Sequence, residues 1–199
     1  MAVRVQTERY RAKLVRRQSI PKGQGTLRPR GIPAVEDTRL QTAVAQRLEA
    51  IYEQDFLPCS YGYRRAVGAL DAVRDLTRTL QCGPYGCIVE ADIKGFFDTI
   101  DHQRLMEMLA WRSDDQPFLR LIRTWLKAGV LETDGQVLHP VTGTPQGGTV
   151  SPILAHAYLH YALDVWCEGV VKAHCEKAAY LCRYADDCAP RRREGVHMR

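Results

Sequence analysis

Two short apolar runs in this sequence each end in aspartate, and they restrict the folds open to the chain more than any other feature. The first run, CIVEADI, covers residues 87–93 and carries Asp92 near its end. The second run, AAYLCRY, is separated by only Ala185 from Asp186 and Asp187. Each run has the length and composition of a buried β-strand. If the two strands pair, Asp92 and Asp186 converge at one edge of a sheet.

Carboxylates brought together in this way predict a cation site. Two or three neighbouring carboxylates repel one another unless they are protonated or bridged by a cation. Hard oxygen ligands suit Mg²⁺, which takes few protein carboxylates and completes its coordination with water and phosphate. Two such ions about 3.5–4 Å apart form the clamp that phosphoryl transfer uses. The pattern therefore indicates nucleotidyl-transfer chemistry.

Helical and extended patterns are mixed along the rest of the chain without an internal repeat, which predicts an α+β fold. Residues 10–35 read as a β-hairpin with turn signals at PKGQG, and residues 130–142 read as a second hairpin with TDGQ at its turn. Helix caps and apolar spacing predict five helices. They begin at Asp37, near Val67, at Asp101, at Pro117 and at Ser151–Pro152, the last running to about Glu168.

Positive charge is concentrated at the start of the chain. The whole sequence has 28 Lys and Arg against 23 Asp and Glu, but Glu8 is the only acid in the first thirty residues. Such a segment either binds phosphates or forms a solvated face, and both readings stay open. The sequence contains no run of eighteen apolar residues, so it predicts no membrane-spanning helix. The N-terminus also lacks the apolar core of a signal peptide. The predicted compartment is the cytoplasm.

Five ordered blocks of the sequence resemble the reverse transcriptases encoded by group II introns. The blocks are RPRGIPAVEDTRLQ, SYGYR, VEADIKGFFDTIDH, GTPQGGTVSPILAHAYLHYALD and RYADD. The resemblance extends from about residue 10 to residue 187. It implies an RNA-directed DNA polymerase that adds dNTPs to a primer on an RNA template. It also implies a link to intron mobility and splicing, with intron RNA and a DNA primer or target as partners.

The resemblance also implies a fold: the fingers and an incomplete palm of a right-hand polymerase, with helices flanking an antiparallel palm sheet. Residues 1–84 would form the fingers. Residues 85–187 would form the palm, with an interleaved fingers segment at about 111–143. The thumb and maturase regions of the family are expected to be absent.

The sequence departs from the family pattern after the aspartate doublet. The family continues with an apolar return strand, whereas this chain has CAPRRREGVHMR. Pro190 and the arginines that follow it do not suit a buried strand. Residues 188–199 are therefore predicted to be a non-native, out-of-frame tail. This would leave AAYLCRY as an exposed edge and the chain poorly folded, weakly active or inactive.

By resemblance, Asp92, Asp186 and Asp187 are the catalytic acids and hold two Mg²⁺ ions, for which Mn²⁺ can substitute. The Ile93 carbonyl is predicted to be an additional ligand. Asp186 is expected to be the firmer ligand of the doublet, because adjacent strand residues point to opposite faces.

The resemblance implies further contacts with substrates. Phe97 is predicted to lie under the sugar of the incoming nucleotide and to exclude a 2′-hydroxyl, which favours dNTPs; alternatively, Phe96 and Phe97 both belong to the core. Gln146 is predicted to pack against the nascent base pair, and Gly147 to let the backbone approach the substrate. The basic candidates are Lys22, Arg28 and Arg30 for the triphosphate, with Arg28 preferred, and Arg64 and Arg65 for the template backbone.

Other assignments of these features stay open. A retron or defence-type reverse transcriptase would carry similar acids. A non-catalytic RNA-binding splicing cofactor would use the basic N-terminal segment, since phosphate contacts need only charge. The presence of all three acids argues against the cofactor. His156 and His160 lie four residues apart without a nearby third ligand, so they are predicted to be packing or surface residues.

Overall fold

The computed structural model describes residues 4–5, 7, 9–22, 26–83, 85, 87–144, 147–175 and 179–192. The chain divides into two compact units. The first comprises Met1–Leu48 and Gly95–Ala155, and the second comprises Glu49–Lys94 and His156–Arg199. These limits differ from the predicted boundary between fingers and palm at residue 84. The assignment of fingers and palm to particular residues stays a prediction.

Helices and short strands are mixed along the chain, which confirms the predicted α+β class. The strands are β1 (Val15–Lys22), β2 (Thr26–Ile32), β3 (Cys87–Ile88), β4 (Ala91–Asp92), β5 (Val130–Leu131), β6 (Val137–Leu138), β7 (Ala179–Tyr184) and β8 (Asp187–Arg192). The helices are α1 (Val35–Tyr52), α2 (Ala69–Cys82), α3 (Phe96–Thr99), α4 (His102–Ala110), α5 (Gln116–Leu126), α6 (Ser151–Leu159) and α7 (Lys172–His174).

The helix that begins at Ser151 is longer than its sequence predicts. Between α6 and α7 it passes through two π-helical segments, His160–Asp164 and Cys167–Val171, so that helical structure continues to His174. The predicted end was about Glu168. π-Helical turns of this kind are uncommon and recur at functional sites.

A mixed sheet of strand order β2-β1-β5-β6 lies in the first unit. The β1–β2 hairpin and the antiparallel β5–β6 pair are both confirmed. Local turn signals predict such hairpins because their strands are close in sequence. The parallel pairing of β1 with β5 joins distant segments, and no local signal predicted it.

Side-chain caps begin two helices of the first unit. The carboxylate of Asp101 accepts a hydrogen bond from the amide of Arg104 at 2.8 Å, which confirms the predicted cap of α4. Asp115 accepts from the amide of Phe118 at 2.9 Å and caps α5, which has proline in its first turn. Such caps satisfy amide donors that have no partner inside the helix.

Asp37 was predicted to cap α1, and this prediction is wrong. Its buried carboxylate instead accepts a hydrogen bond from the Tyr10 hydroxyl at 2.5 Å and from the Lys13 amide at 3.0 Å. The indole of Trp125 in turn donates to the Tyr10 hydroxyl at 2.8 Å. The pKa of Tyr10 is raised, first by burial and then by its bond to Asp37. This chain of bonds joins segments far apart in sequence inside the first core.

In the second unit, β8 is the central strand of an antiparallel sheet. It pairs with β7 along all six residues and with β3 and β4 along a single second register. The prediction that no return strand follows the doublet is therefore wrong, as is the expected exposed edge of β7. The predicted out-of-frame origin of residues 188–199 stays a prediction, and residues 193–199 lie outside the described part of the chain.

Proline is tolerated in β8 because of where it lies. Pro190 is opposite Leu181 of β7. On the other side of β8, the residues between β3 and β4 belong to no strand, so the ladder is interrupted opposite Pro190. Proline has no N–H to donate, and an interruption of this kind removes the need for one.

The run CIVEADI does not form a buried strand, which corrects the sequence prediction. It forms the two short strands β3 and β4, and residues 89–92 are exposed. The run lies on the edge of the sheet, and no further strand covers it in the described residues. The apolar composition of the run therefore gave a wrong prediction of burial. The prediction that Asp92 lies near the end of a strand is confirmed.

Candidate active site

The sheet of the second unit brings two of the predicted acids face to face. Asp92 ends β4 and is the register partner of Asp187, the first residue of β8. Directly opposed residues of an antiparallel pair share one face, with Cβ atoms about 4.5–5.5 Å apart. The strand that carries Asp92 therefore pairs with β8. The sequence had instead suggested a pairing with β7. Asp187, which had been expected to be the weaker ligand, is the acid registered against Asp92.

Asp186 lies in the two-residue turn that joins β7 to β8. Tyr184 and Asp187 close this hairpin as a register pair. Ala185, the first residue of the turn, has a φ of 58°. A positive φ at this position is typical of a type II′ turn, where glycine is usual. An alanine there stores about 1–3 kcal/mol of strain that the surrounding structure must hold in place.

The acids of this hairpin influence one another electrostatically. The pKa of the Asp187 carboxyl is raised, first by partial desolvation and then by the negative charges of Asp186, Asp92 and Glu90. The three neighbouring negative charges thus disfavour ionisation of Asp187. A divalent cation placed among them would reverse this effect, because opposite charge favours the ionised form.

The donor set fits Mg²⁺ by its chemistry. Asp92 and Asp187 are exposed, and Ile93 and Asp186 are half-buried, so the site lies at the surface of the second unit. Among the described residues, no three His, Cys, Asp or Glu side chains are yet arranged to hold a metal ion. Mg²⁺ needs only one or two protein carboxylates when water and substrate phosphates complete its shell. The pair Asp92 and Asp187, with Asp186 beside it, meets that requirement.

A fully buried ion pair lies directly behind the acidic turn. The guanidinium of Arg183 on β7 donates to both carboxylate oxygens of Asp164, from Nε at 2.7 Å and from Nη2 at 2.5 Å. Both side chains have 0% exposure. Nη2 also donates to the Ser60 hydroxyl at 2.6 Å, and Nη1 donates to the carbonyl of Ala185 at 2.9 Å. The backbone of the turn is therefore tied to a buried charge.

Ser60 extends this network to a buried histidine. Its hydroxyl lies 2.8 Å from Nε2 of His156. The pKa of His156 is lowered to about 3, first by burial and then by the positive charge of Arg183. His156 also packs against Phe56, with ring centroids 3.9 Å apart. The predicted packing role of His156 is confirmed, and a surface role is excluded by its burial.

The predicted nucleotide contacts that can be described lie in the first unit. Phe96 is buried, whereas Phe97 beside it on α3 is half-buried, and the two rings meet edge to face with their centroids 5.6 Å apart. Arg30 is exposed on β2. Gln146 and the side chains of Lys22 and Arg28 lie outside the described residues.

Gly147 has a structural reason to be glycine. Its φ is +115°, and a Cβ at this position would lie 2.4 Å from the carbonyl oxygen of Gly31 on β2. The close approach that the structure shows is thus to the hairpin. The predicted approach of Gly147 to a substrate stays a prediction.

Arg64 and Arg65, both predicted to contact the template, differ in their surroundings. Arg64 donates to the carboxylate of Glu53 and to the carbonyls of Leu57 and Ser60. Its side chain is 13% exposed and these bonds hold the loop, while its predicted template contact stays a prediction. Arg65 forms an ion pair with Glu49 but is 76% exposed, and its predicted template contact remains open.

Comparison with known families decides the identity of this arrangement. A family model described as reverse transcriptase (RNA-dependent DNA polymerase) matches residues 20–190. The chain belongs to the reverse transcriptase family. The predicted resemblance to the enzymes of group II introns is thereby confirmed at the level of the family, and relatives named for such introns support the finer assignment.

Two curated relatives are longer than the matched part of this chain. It is 41% identical over 152 residues to the group II intron-encoded protein LtrA of Lactococcus lactis subsp. cremoris, covering 76% of this chain and 25% of the relative. It is 36% identical over 154 residues to protein YkfC of Escherichia coli (strain K12), covering 76% of this chain and 40% of the relative. The chain thus spans less than half the length of these relatives.

Solved structures share the fold of this reverse transcriptase chain. The telomerase of Candida albicans in complex with a fragment of telomeric RNA gives a TM-score of 0.67 at 12% identity, covering 94% of this chain and 39% of the telomerase. A partial Cas6-RT-Cas1–Cas2 complex gives 0.54 at 23% identity, covering 96% of this chain and 31% of the other. These likenesses confirm the predicted α+β polymerase fold.

Sequence reasoning missed the residues that support the acidic turn of this reverse transcriptase. Arg183 was treated as part of an apolar strand, and neither Asp164 nor Ser60 was singled out. A signal was present, because arginine is almost never fully buried unless it is paired. A charged residue inside an otherwise apolar run therefore predicts a buried partner, although it does not reveal which one.

In the described residues, no helix is both long enough and apolar enough to span a membrane.

Proposed function

We propose that the chain carries the nucleotidyl-transfer centre of an RNA-directed DNA polymerase of the group II intron type. One observation carries the proposal: β8 registers Asp187 against Asp92 and places Asp186 in the adjoining turn. The curated relatives named for group II introns support the assignment of type. The substrates would be dNTPs, a DNA primer and an RNA template, and intron RNA would be a further partner in mobility and splicing.

In this proposal, Asp92, Asp186 and Asp187 hold two Mg²⁺ ions, with the Ile93 carbonyl as a further ligand. When bound, the ions lower the pKa of the primer 3′-hydroxyl and neutralise charge on the triphosphate and the leaving pyrophosphate. The protein's part is to keep the acids close together before metal binds. Their mutual repulsion, seen in the raised pKa of Asp187, is the electrostatic cost that the sheet and turn must bear.

Selection of dNTPs is assigned to Phe97. Its half-buried ring, beside a buried Phe96, supports a role in which only Phe97 is available to a nucleotide sugar. A ring in that position leaves no room for a 2′-hydroxyl. The exposed guanidinium of Arg30 on the β1–β2 hairpin is available to a phosphate, and Arg65 to a template strand.

The test is primer extension by the full chain on an RNA template with dNTPs and Mg²⁺. Asp92→Asn and Asp187→Asn should each lower the rate by at least about 100-fold, since metal ions supply several kcal/mol of transition-state stabilisation. Asp114→Asn, which changes an exposed aspartate of the first unit, is the matched control and should retain the rate. Circular dichroism should show all three variants folded.

Two results would contradict the proposal. The first is primer extension that survives Asp187→Asn unchanged. The second is a folded wild-type chain that binds RNA but extends no primer with either Mg²⁺ or Mn²⁺. The second result would favour the non-catalytic RNA-binding alternative, in particular if Asp187→Asn leaves RNA affinity unchanged.

A further inference from the structure

Arg183 is the most unusual charge in the described part of the second unit. It lies on β7 with 0% exposure, two residues before Ala185 and three before Asp186. One carboxylate, that of Asp164, would suffice to neutralise it. Its guanidinium nevertheless reaches past that partner, and Nη1 donates to the Ala185 carbonyl at 2.9 Å. The rigid fork of arginine can make both sets of bonds at once, whereas a lysine ammonium cannot match that geometry.

The bond to Ala185 holds a strained residue. Ala185 has a φ of 58°, in the left-handed region that an alanine rarely adopts. Conformations of this kind persist only when the surrounding structure over-determines them, and they cluster at functional sites. Ala185 is buried, and it immediately precedes Asp186. A small rotation at Ala185 would therefore redirect Asp186 and, next to it, Asp187 at the start of β8.

A second contact presses on the same residue from the loop 60–64. A Cβ built on Gly62 would lie 2.4 Å from the Ala185 amide nitrogen, so the backbone of Gly62 packs directly against the turn. The chain just before Gly62 is bonded to β7, because the Tyr61 N–H donates to the Arg183 carbonyl and the Arg183 N–H donates to the Cys59 carbonyl. The turn is thus held from the strand and from the loop.

We propose that Arg183 is a positioning residue for the metal-binding acids: with Asp164 as its anchor and Gly62 as the opposing surface, it holds Ala185 in the conformation that aims Asp186 and Asp187. This inference rests on the proposed function of those acids. It adds a role for Arg183 that goes beyond neutralising a buried carboxylate. Outer-shell partners of this kind typically change metal affinity by about 10–100-fold when they are removed.

Two variants perturb the turn by independent routes. Arg183→Lys keeps the buried positive charge next to Asp164 but removes the fork that also reaches the Ala185 carbonyl. Gly62→Ala leaves the ion pair intact and forces the loop away from the Ala185 amide. Gly169→Ala is the matched control, because a Cβ on Gly169 meets no atom within 4 Å.

Two readouts on the full chain separate positioning from stability. The first is hydrogen exchange of the amides of residues 185–187 without metal, measured at a temperature where thermal unfolding shows every variant to be folded. The second is the affinity for Mn²⁺, measured by the electron paramagnetic resonance of the free ion, with Asp187→Asn as the variant that removes the site. Both Arg183→Lys and Gly62→Ala should speed exchange at the turn and weaken Mn²⁺ binding by about 10–100-fold. Gly169→Ala should match the wild type in both.

Wild-type exchange at the turn together with wild-type Mn²⁺ affinity in the folded variants would overturn the proposal, since Arg183 would then serve stability alone. If Arg183→Lys does not fold, Gly62→Ala decides. Failure of both to fold would also overturn it, by showing a folding element only. If the wild-type chain itself binds no Mn²⁺, the proposed function fails, and the exchange at the turn alone decides whether Arg183 positions it.

Discussion

The buried ion pair between Arg183 and Asp164 offers the sharpest test of the energetics of the second unit. Asp164→Ala removes a carboxylate that accepts two hydrogen bonds from Arg183, at 2.7 and 2.5 Å. The Arg183 guanidinium, which has 0% exposure, then loses the negative charge with which it is paired. Breaking one side of a buried pair costs about 3–5 kcal/mol, because the remaining charge stays desolvated. This loss is a large fraction of the stability of an ordinary domain.

Urea denaturation at neutral pH measures this cost directly. The midpoint should fall while the slope stays unchanged, since the variant alters stability and not the surface exposed on unfolding. At about 2–4 °C per kcal/mol for a chain of this size, the melting temperature should fall by about 6–20 °C. The matched control is Glu107→Ala, which breaks an ion pair with Arg104 whose side chains are 70% and 42% exposed. That change should cost no more than about 1 kcal/mol.

A double variant tests the physical reason for the loss. Arg183→Met with Asp164→Leu removes both charges together, and well-packed apolar replacements of a buried pair are often neutral or stabilising. The double variant should therefore be more stable than Asp164→Ala, although it still lacks the bond to the Ala185 carbonyl. The reasoning would be refuted if Asp164→Ala lost less than about 1 kcal/mol, or if the double variant were no more stable than the single one.

Three further perturbations test other parts of the structure. Asp187→Asn relieves repulsion from Asp186 and Asp92, so its urea midpoint in metal-free buffer should equal or exceed that of the wild type. The pKa of His156 is lowered to about 3, so only the unfolded chain gains a proton there below about pH 6.5. Stability measured by urea titration should therefore fall as the pH drops from 6.5 toward 3, by up to about 1.4 kcal/mol per pH unit from this group; a flat profile would contradict the assignment. Gly147→Ala should lower the melting temperature more than Gly135→Ala, because both have positive φ but only Gly147 meets a carbonyl oxygen, 2.4 Å away; equal losses would show that backbone conformation alone decides.

Local signals in the sequence predicted the features that depend on neighbouring residues. The β1–β2 hairpin, the β5–β6 hairpin and the cap at Asp101 all follow from turn or capping chemistry within a few residues. The aspartates were also identifiable, because two separate apolar runs end in aspartate and a sheet could bring those ends together. Family membership followed from the order of the blocks that contain them.

Partners distant in the chain were decided only by the tertiary structure. Pro190 argued against a return strand, yet β8 forms because the ladder is interrupted opposite that proline. The register of β8, and not the doublet itself, determines that Asp187 faces Asp92. Asp37 was predicted to cap α1 but is a buried acceptor for the Tyr10 hydroxyl, 27 residues away in the chain.

The sequence by itself therefore determined which chemistry the chain contains: three acids at strand ends, in the pattern of a reverse transcriptase. The tertiary structure decided how those acids are held. The aim of the acidic turn depends on Arg183, Asp164 and Gly62, which lie far apart in the chain. Burial of a charge and close packing of a glycine are properties of a folded interior, and each depends on what the rest of the chain places around the residue.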